Sequence, residues 1–371
     1  MRVLLFTLEY PPFKGGVANY YENIVNNWPE PDNISVLDNN KNKLIKNRIW
    51  PCWLPAFFAL YKNIKINKIN HILVGHVLPL GTVAYYITKF IKLEYSVILH
   101  GMDFAYALKK PRKKIMAQKI LCQAKNIICS NNYTAGLVQE FLGENFADKI
   151  QVVNPGISHS PKNITYNSKS DVASCELRVM KLKKKYKLDD KVALFSVGRL
   201  VKRKGFDKVI AAMAEAAKSR PNLYYYLAGD GPDKKYLRKL AKNAPNIIFL
   251  DKISDSEKWT WLDLCDIFIT ISRNIQGDFE GFGIVYLEAN ICGKPVIAGN
   301  SGGVPDAVEH NYSGILVNPE DIKAISSAII GLAENPELRK KLGKQGRKRV
   351  LKEFNCKDKT RKVFNLITRN L

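Results

Sequence analysis

The chain has 371 residues, 46% of them hydrophobic and 25% charged, which is more than one hydrophobic core usually serves and too apolar for a disordered chain, so two folded domains are expected. Lysine and arginine outnumber the acids 58 to 34, a formal +24, and that excess suits phosphate-bearing partners such as nucleotides or an anionic membrane surface. No zinc spacing, RNP-type motif or recognition helix accompanies it, so nucleic acid is not an expected partner, and seven scattered cysteines with no C-x-x-C pair read as reduced thiols of a cytoplasmic protein.

The apolar run Met1 to Leu8 is too short for a signal-peptide h-region, is stopped by Glu9-Tyr10-Pro11-Pro12, and reads as a first strand from Val3. Further strand-like runs at 71–74, 96–100, 126–130 and 150–153 alternate with helical patterns, which predicts parallel βαβ units in a doubly wound sheet over residues 1–157. The longest apolar stretch, Ile72 to Thr88, is broken by Gly75, His76, Pro79 and Gly81, whereas a membrane span needs about 20 mostly apolar residues. Residues 158–177, rich in Ser, Asn and Lys with Pro161 inside, read as a linker, and the sequon Asn163-Ile164-Thr165 within it reads as chance. Strand-like runs then resume at 192–197, 224–228, 247–250, 267–271, 295–298 and 314–317, predicting a second α/β domain over residues 178–355 and a final helix, 356–371, packing back toward the first domain.

Four strand-end motifs carry the candidate chemistry. Pro11-Pro12-Phe13-Lys14-Gly15-Gly16-Val17 is a strand end, a glycine pair and a helix start, and the amides of Gly15 and Gly16 suit close approach of a phosphate or sugar. It is neither a P-loop nor G-x-G-x-x-G. Leu99-His100-Gly101-Met102-Asp103 places His100 at a strand's carboxyl edge, where ligands of open α/β sheets bind. Ser196-Val197-Gly198-Arg199-Leu200 ends another strand before Lys202, Arg203, Lys204, Gly205 and Phe206, and Arg199 and Lys204 there bring the charge a diphosphate needs. The fourth, residues 278–289, reads D-F-E-G-F-G-I-V-Y-L-E-A. Gly281 and Gly283 permit a tight turn with exposed N–H groups, and the apolar pattern from Ile284 opens a helix whose positive end faces that turn. Glu288, more than a turn further on, suits paired hydrogen bonds from vicinal hydroxyls, ribose being the natural candidate. Taken singly each motif has a plainer reading: a loop with both glutamates in water, a solvated basic loop, a structural histidine.

Together the four motifs resemble glycosyltransferase family 4, the retaining group 1 enzymes of GT-B fold, and are similar to bacterial cell-envelope and phosphatidylinositol mannosyltransferase-like enzymes. The family's glutamate, seven residues, glutamate signature matches Glu280 to Glu288, and residues 293–308, G-K-P-V-I-A-G-N-S-G-G-V-P-D-A-V, look typical of it. The resemblance covers nearly the whole chain and implies two Rossmann-like domains facing a cleft. It implies that Arg199 and Lys204 hold the donor diphosphate and Glu288 the ribose, with Glu280 and the amides of Phe282 and Gly283 at the transferred sugar and Ile284 beside them. Gly15 and Gly16 match the amino-terminal glycine pair. His100 matches the histidine near the reaction centre, which with Glu280 makes the catalytic pair, and Asp103 matches a commonly polar position. Ala228-Gly229-Asp230-Gly231-Pro232 resembles the family's strand-end turn and Phe249 to Ser254, with Ile253, the segment whose backbone meets the base; an ordinary turn and strand is the alternative for both.

The expected reaction is transfer of a hexose from a UDP- or GDP-sugar to a glycan or lipid-linked acceptor in envelope polysaccharide or glycolipid synthesis, with retention, by front-face attack. No D-x-D is present, and Asp255-Ser256-Glu257 reads as a helix start, so no metal is expected. On the acceptor side, Arg48 to Lys68 mixes Trp50, Trp53, Phe57, Phe58 and Tyr61 with Lys62, Lys65 and Lys68, and Lys109, Lys110, Arg112, Lys113, Lys114 and Lys119 add cations. This suits a peripheral position on the inner face of the cytoplasmic membrane; the alternative is that the aromatics are core and the lysines a solvated face. Rival activities are a GT-B-like epimerase or phosphorylase and, more distantly, nucleic-acid binding.

Overall fold

The computed structural model describes residues 1–13, 15–157 and 169–368; Lys14 of the glycine-pair motif, residues 158–168 of the stretch read as linker, the sequon and residues 369–371 lie outside the described residues. The chain divides into two compact units, Met1–Ser158 with Phe354–Leu371, and His159–Glu353. Residues 169–177, also read as linker, belong to the helix Lys169–Tyr186.

The first unit holds six strands, β1 (Val3–Thr7), β2 (Ile34–Asp38), β3 (His71–Val74), β4 (Glu94–Leu99), β5 (Ile127–Cys129) and β6 (Ile150–Val152). All pairs are parallel, in the order β2-β1-β3-β4-β5-β6. β1 is apolar throughout and buried at every position, as expected where helices cover both faces of a parallel sheet. Its side chains alternate between two cores. Leu4 and Phe6 pack with the helices Leu54–Asn67, Leu80–Phe90 and Pro111–Gln123. Val3 and Leu5 pack with Tyr20, Tyr21 and Ile24 of the helix Gly16–Asn26 and with Val363, Leu366 and Ile367 of the helix Cys356–Thr368. That last helix is otherwise highly charged, but Thr360, Val363 and Ile367 recur at the three- and four-residue spacing of one helix face and are buried.

The second unit repeats the design with β7 (Val192–Val197), β8 (Leu223–Ala228), β9 (Ile247–Asp251), β10 (Ile267–Thr270), β11 (Val296–Gly299) and β12 (Gly314–Val317), parallel in the order β12-β11-β10-β7-β8-β9. An aromatic block centred on buried Trp261 fills one side of this sheet, with its ring 4.6 Å from Tyr226 and stacked at 5.6 Å on Phe195. β2 is the one strand that has no counterpart in the sequence reading. It is an edge strand whose single fully buried residue is Leu37, so it shows neither the continuous apolar run nor the clean alternation that marks a strand.

Parallel pairing sends every strand of a sheet to the same edge, so the loops after β7, β10 and β11 meet. They meet at backbone distance. Gly205 sits at φ 65°, and a Cβ there would lie 1.8 Å from the carbonyl oxygen of Ile271, just past β10. Gly205→Ala therefore combines a backbone clash with left-handed strain and is expected to destabilise the protein by about 2–4 kcal/mol, read from the shift in the urea unfolding midpoint.

Candidate functional site

In the second unit β7 ends at Val197 and Arg199 follows it, exposed and without an acid partner among the described residues. The single turn Lys202–Lys204 then carries the chain inward, so that Lys204 is buried while Arg203 keeps about a quarter of its side chain exposed. Both cations converge on Glu280. Its Oε2 receives Arg203 Nη1 at 2.7 Å and pairs with Lys204 Nζ, while Arg203 Nε reaches Asp278 at 3.2 Å. Burial opposes the charge on Glu280, yet Lys204 and Arg203 outweigh it and hold the carboxyl below its ordinary range. The loop is braced from behind: Arg273, nine-tenths buried, donates its main-chain N–H to the Arg203 carbonyl at 2.8 Å and its Nη2 to Asp207 at 2.9 Å, and Gly303 N–H donates to the Glu280 carbonyl at 2.9 Å.

The helix after this loop is Ile284–Ile291, with buried Phe282 before it and half-buried Ile284 at its first position. Gly283 opens it at φ 83°, where a Cβ would press within 2.4 Å of the Tyr286 ring. The Tyr286 hydroxyl is anchored below on the Thr270 carbonyl at 3.0 Å. Glu288, at the fifth position, is largely buried and bonded to Lys258 Nζ at 2.7 Å; Lys258 also reaches Asp255 at 3.1 Å. Burial disfavours the Lys258 ammonium, but Glu288 and Asp255 prevail and raise its pKa above the usual lysine value. Lys258 belongs to the helix Asp255–Leu264, whose Ser254–Glu257 capping box explains the D-S-E triplet as a helix start. Gly229 and Ile253 follow β8 and β9; the Gly229 N–H donates to the Asp251 carbonyl at 2.8 Å, and Asp251 itself is held by Arg238 and Lys234 at 2.7 and 3.0 Å. The structure thus joins Lys204 and Glu280 directly and sets Phe282, Gly283, Ile284 and Glu288 in one turn and helix.

In the first unit, half-buried His100 follows β4. Its Nε2 lies 2.8 Å from the Tyr21 hydroxyl, and that hydroxyl donates its single hydrogen to the Gly75 carbonyl at 2.6 Å. His100 must therefore donate from Nε2, which leaves Nδ1 as an acceptor. Burial, with His76 beside it, pushes its pKa down to about 3, so the ring is neutral at physiological pH. Asp103 Oδ1 accepts the His100 main-chain N–H at 3.0 Å; burial raises its carboxyl to about 6, against the pull of backbone N–H donors. Gly15 caps the helix Gly16–Asn26 in extended conformation, and above Gly16 a Cβ would meet nothing within 4 Å. The aromatic run divides. Trp53 and Phe57 pack against the core, whereas Trp50 is 94% exposed and Phe58 and Tyr61 also face out.

Arg203, Lys258 and Arg273 were not singled out by sequence reasoning. Arg203 lay inside the recognised cation cluster, but only the fold shows it sharing Glu280. Lys258 sits 30 residues before Glu288, a separation that carries no local signal.

Residues 180–349 match the family Glycosyl transferases group 1. The chain is 27% identical to a GDP-mannose-dependent monoacylated alpha-(1-6)-phosphatidylinositol monomannoside mannosyltransferase of Corynebacterium glutamicum, over 99% of this chain and 97% of that one. It is 23% identical to a GDP-mannose-dependent alpha-(1-6)-phosphatidylinositol monomannoside mannosyltransferase of Mycolicibacterium smegmatis, over 99% and 98%. Among solved structures, Anabaena HepE in complex with UDP superimposes with a TM-score of 0.80 at 18% identity, covering 99% of this chain and all of that one. The two doubly wound units are thus those of a GT-B-class protein. Residues 180–349 are thus similar to the group 1 glycosyltransferase domain, and the chain is a glycosyltransferase.

Because Glu280 has a depressed pKa in the folded chain, its contribution to stability is complete above the ordinary carboxyl range, near pH 4.5, and is lost as pH falls through the folded value. Glu280→Gln leaves buried Lys204 without its counter-charge and Arg203 with Asp278 alone, and is expected to cost about 3 kcal/mol at pH 7. The difference from wild type should shrink steadily below pH 4.5, as followed by urea titrations across pH.

Proposed function

We propose that the protein transfers a hexose from a nucleotide-diphosphate sugar to a hydroxyl of a lipid-linked or glycan acceptor, with retention and without a metal ion. The observation that carries the donor reading is the Lys204–Glu280–Arg203 cluster at the carboxyl edge of the second sheet. Lys204 is buried, and among the described residues its sole acid partner is Glu280. A diphosphate arriving there offers Lys204 a stronger partner, and Arg203 keeps Glu280 charged when Lys204 turns away. Exposed Arg199, with no acid partner among the described residues, adds a second phosphate ligand. Glu288, held by Lys258, receives the ribose hydroxyls, and the amides of Phe282 and Gly283 with Ile284 meet the transferred sugar. Gly229 and the backbone near Ile253 border the base.

His100 serves as a neutral hydrogen-bonding group, with Nδ1 able to accept from a sugar hydroxyl, while Gly15, Gly16 and Asp103 shape the same edge of the first unit. In front-face transfer the leaving diphosphate oxygen takes the acceptor's proton, and the protein supplies position and fixed charge. Guanine is the favoured base, because the full-length relatives bear GDP-mannose-dependent names. Those names also support an inositol-lipid acceptor. A thermal-shift panel of UDP, GDP and ADP sugars, with and without EDTA, tests the reading: stabilisation by one sugar nucleotide is expected, indifferent to EDTA. Lys204→Ala and Glu288→Ala should each weaken donor binding by at least tenfold, and unchanged affinity in both would remove the assignment.

No helix among the described residues is long and apolar enough to cross a membrane. Peripheral contact is supported instead by Trp50, Phe58 and Tyr61 facing outward beside exposed Lys62 and Lys65. The double variant Trp50→Ala, Phe58→Ala should sediment several-fold less with vesicles containing phosphatidylinositol, and raising salt from 0.15 to 1 M should weaken wild-type binding.

A further inference from the structure

One acid of the first unit lies outside the site described so far. Glu9 follows β1, and the buried Thr7 hydroxyl fixes its main chain, accepting from Glu9 N–H and donating to the Glu9 carbonyl, both at 3.2 Å. Its carboxylate is 33% exposed and, among the described residues, accepts no hydrogen bond; the one basic group within 4.0 Å among them is His76 Nε2, and the buried Tyr21 hydroxyl also feels its charge. His76 is buried just past β3 and accepts the Leu8 N–H at Nδ1, 3.4 Å away, which leaves its proton on Nε2, facing Glu9. Burial drives the His76 pKa down to about 4 and raises that of Glu9, so the ring brings no charge to compensate the acid. A half-buried carboxylate with no counter-charge among the described residues is costly for the fold alone.

At 4.0 Å the two groups are too far apart to bond, yet a single hydroxyl placed to the side of the line joining them can accept from Nε2–H and donate to Oε1 at about 2.8 Å from each. A fully ionised phosphate cannot do this, since its oxygens only accept, and any phosphate would set its negative charge against a carboxylate. The other oxygen, Oε2, lies 3.5 Å from where a Cβ of Gly15 would stand, next to the open space over Gly16, so a neighbouring hydroxyl can reach it. Resting on the glycosyltransferase reading, we propose that Glu9 and His76 bind adjacent hydroxyls of an uncharged polyol ring in the acceptor, Glu9 accepting from both and His76 donating to one.

The full chain is titrated with myo-inositol and with methyl α-D-mannopyranoside by ligand-observed NMR, and separately with GDP-mannose by thermal shift. Wild type should bind at least one of the two polyols saturably. Glu9→Gln, which keeps the shape and removes the charge, should weaken that binding at least fivefold with GDP-mannose stabilisation unchanged and the unfolding temperature equal or higher, and Glu9→Asp should fall between. The proposal is overturned if wild type binds neither polyol, if Glu9→Gln binds as wild type does, or if the variant loses GDP-mannose in parallel. Failure of GDP-mannose to stabilise wild type counts against the donor site of the second unit, and the polyol titration still decides the role of Glu9.

Discussion

Glu280 stands between two cations in a place with little water, and the organisation of the second unit follows from holding that arrangement, which Asp278 brings to charge balance. A carboxylate at that depth is tolerated only because Lys204 and Arg203 approach it from the turn after β7, and buried Lys204 is tolerated only because the acid is there. The rest of the loop holds the three together. Arg273 clamps the Arg203 carbonyl and Asp207, and the second glycine of the S-G-G run donates to the Glu280 carbonyl. A cluster so held offers an incoming anion charge already in place, with Lys204 the one side chain of the three that has to turn toward it.

Such closeness is a property of parallel sheets. With all strands running the same way, the loops that follow them crowd one edge, and glycine appears where one loop's backbone touches another's. Gly205 against the Ile271 carbonyl and Gly229 against the Gly198 carbonyl are two such points, with room for no Cβ. The strands behind them are apolar on both faces, so the polar chemistry of the unit is confined to that edge and to the first turns of the helices leaving it.

Much of this was legible in the sequence. Continuous apolar runs such as Val3 to Thr7 and Val192 to Val197 announce strands covered on both faces, and the spacing from Gly283 to Glu288 places an acid inside a helix that starts at a glycine. Edge strand β2 was not legible, because a half-buried strand has no full apolar run. Partnerships were not legible either. That Glu280 faces Arg203 across 77 residues, Glu288 faces Lys258 across 30, and His100 takes its tautomer from Tyr21 across 79 are consequences of strand order. Local pattern cannot supply them. The aromatic segment shows the same limit, since Trp53 and Trp50 look alike in the chain and only packing sends one inward and the other into water.

The two units handle titratable groups in opposite ways. In the second, acids and bases near the strand ends are paired, and the pairing keeps Glu280 and Lys258 charged despite burial. In the first, burial prevails: His76 and His100 lose their protons, and Glu9 and, against its backbone N–H donors, Asp103 are pushed toward keeping theirs. Glycosyl transfer brings together reactants of opposite character, a donor with a charged diphosphate and an acceptor that reacts through a neutral hydroxyl. A surface of fixed ion pairs suits the first, because its cations can exchange one anion for another. On the proposed reading, a surface of neutral histidines beside a single acid, Glu9, suits the second, because each hydroxyl needs both a lone pair for its hydrogen and a hydrogen for its lone pair, and a surface of cations there would favour binding phosphate in its place.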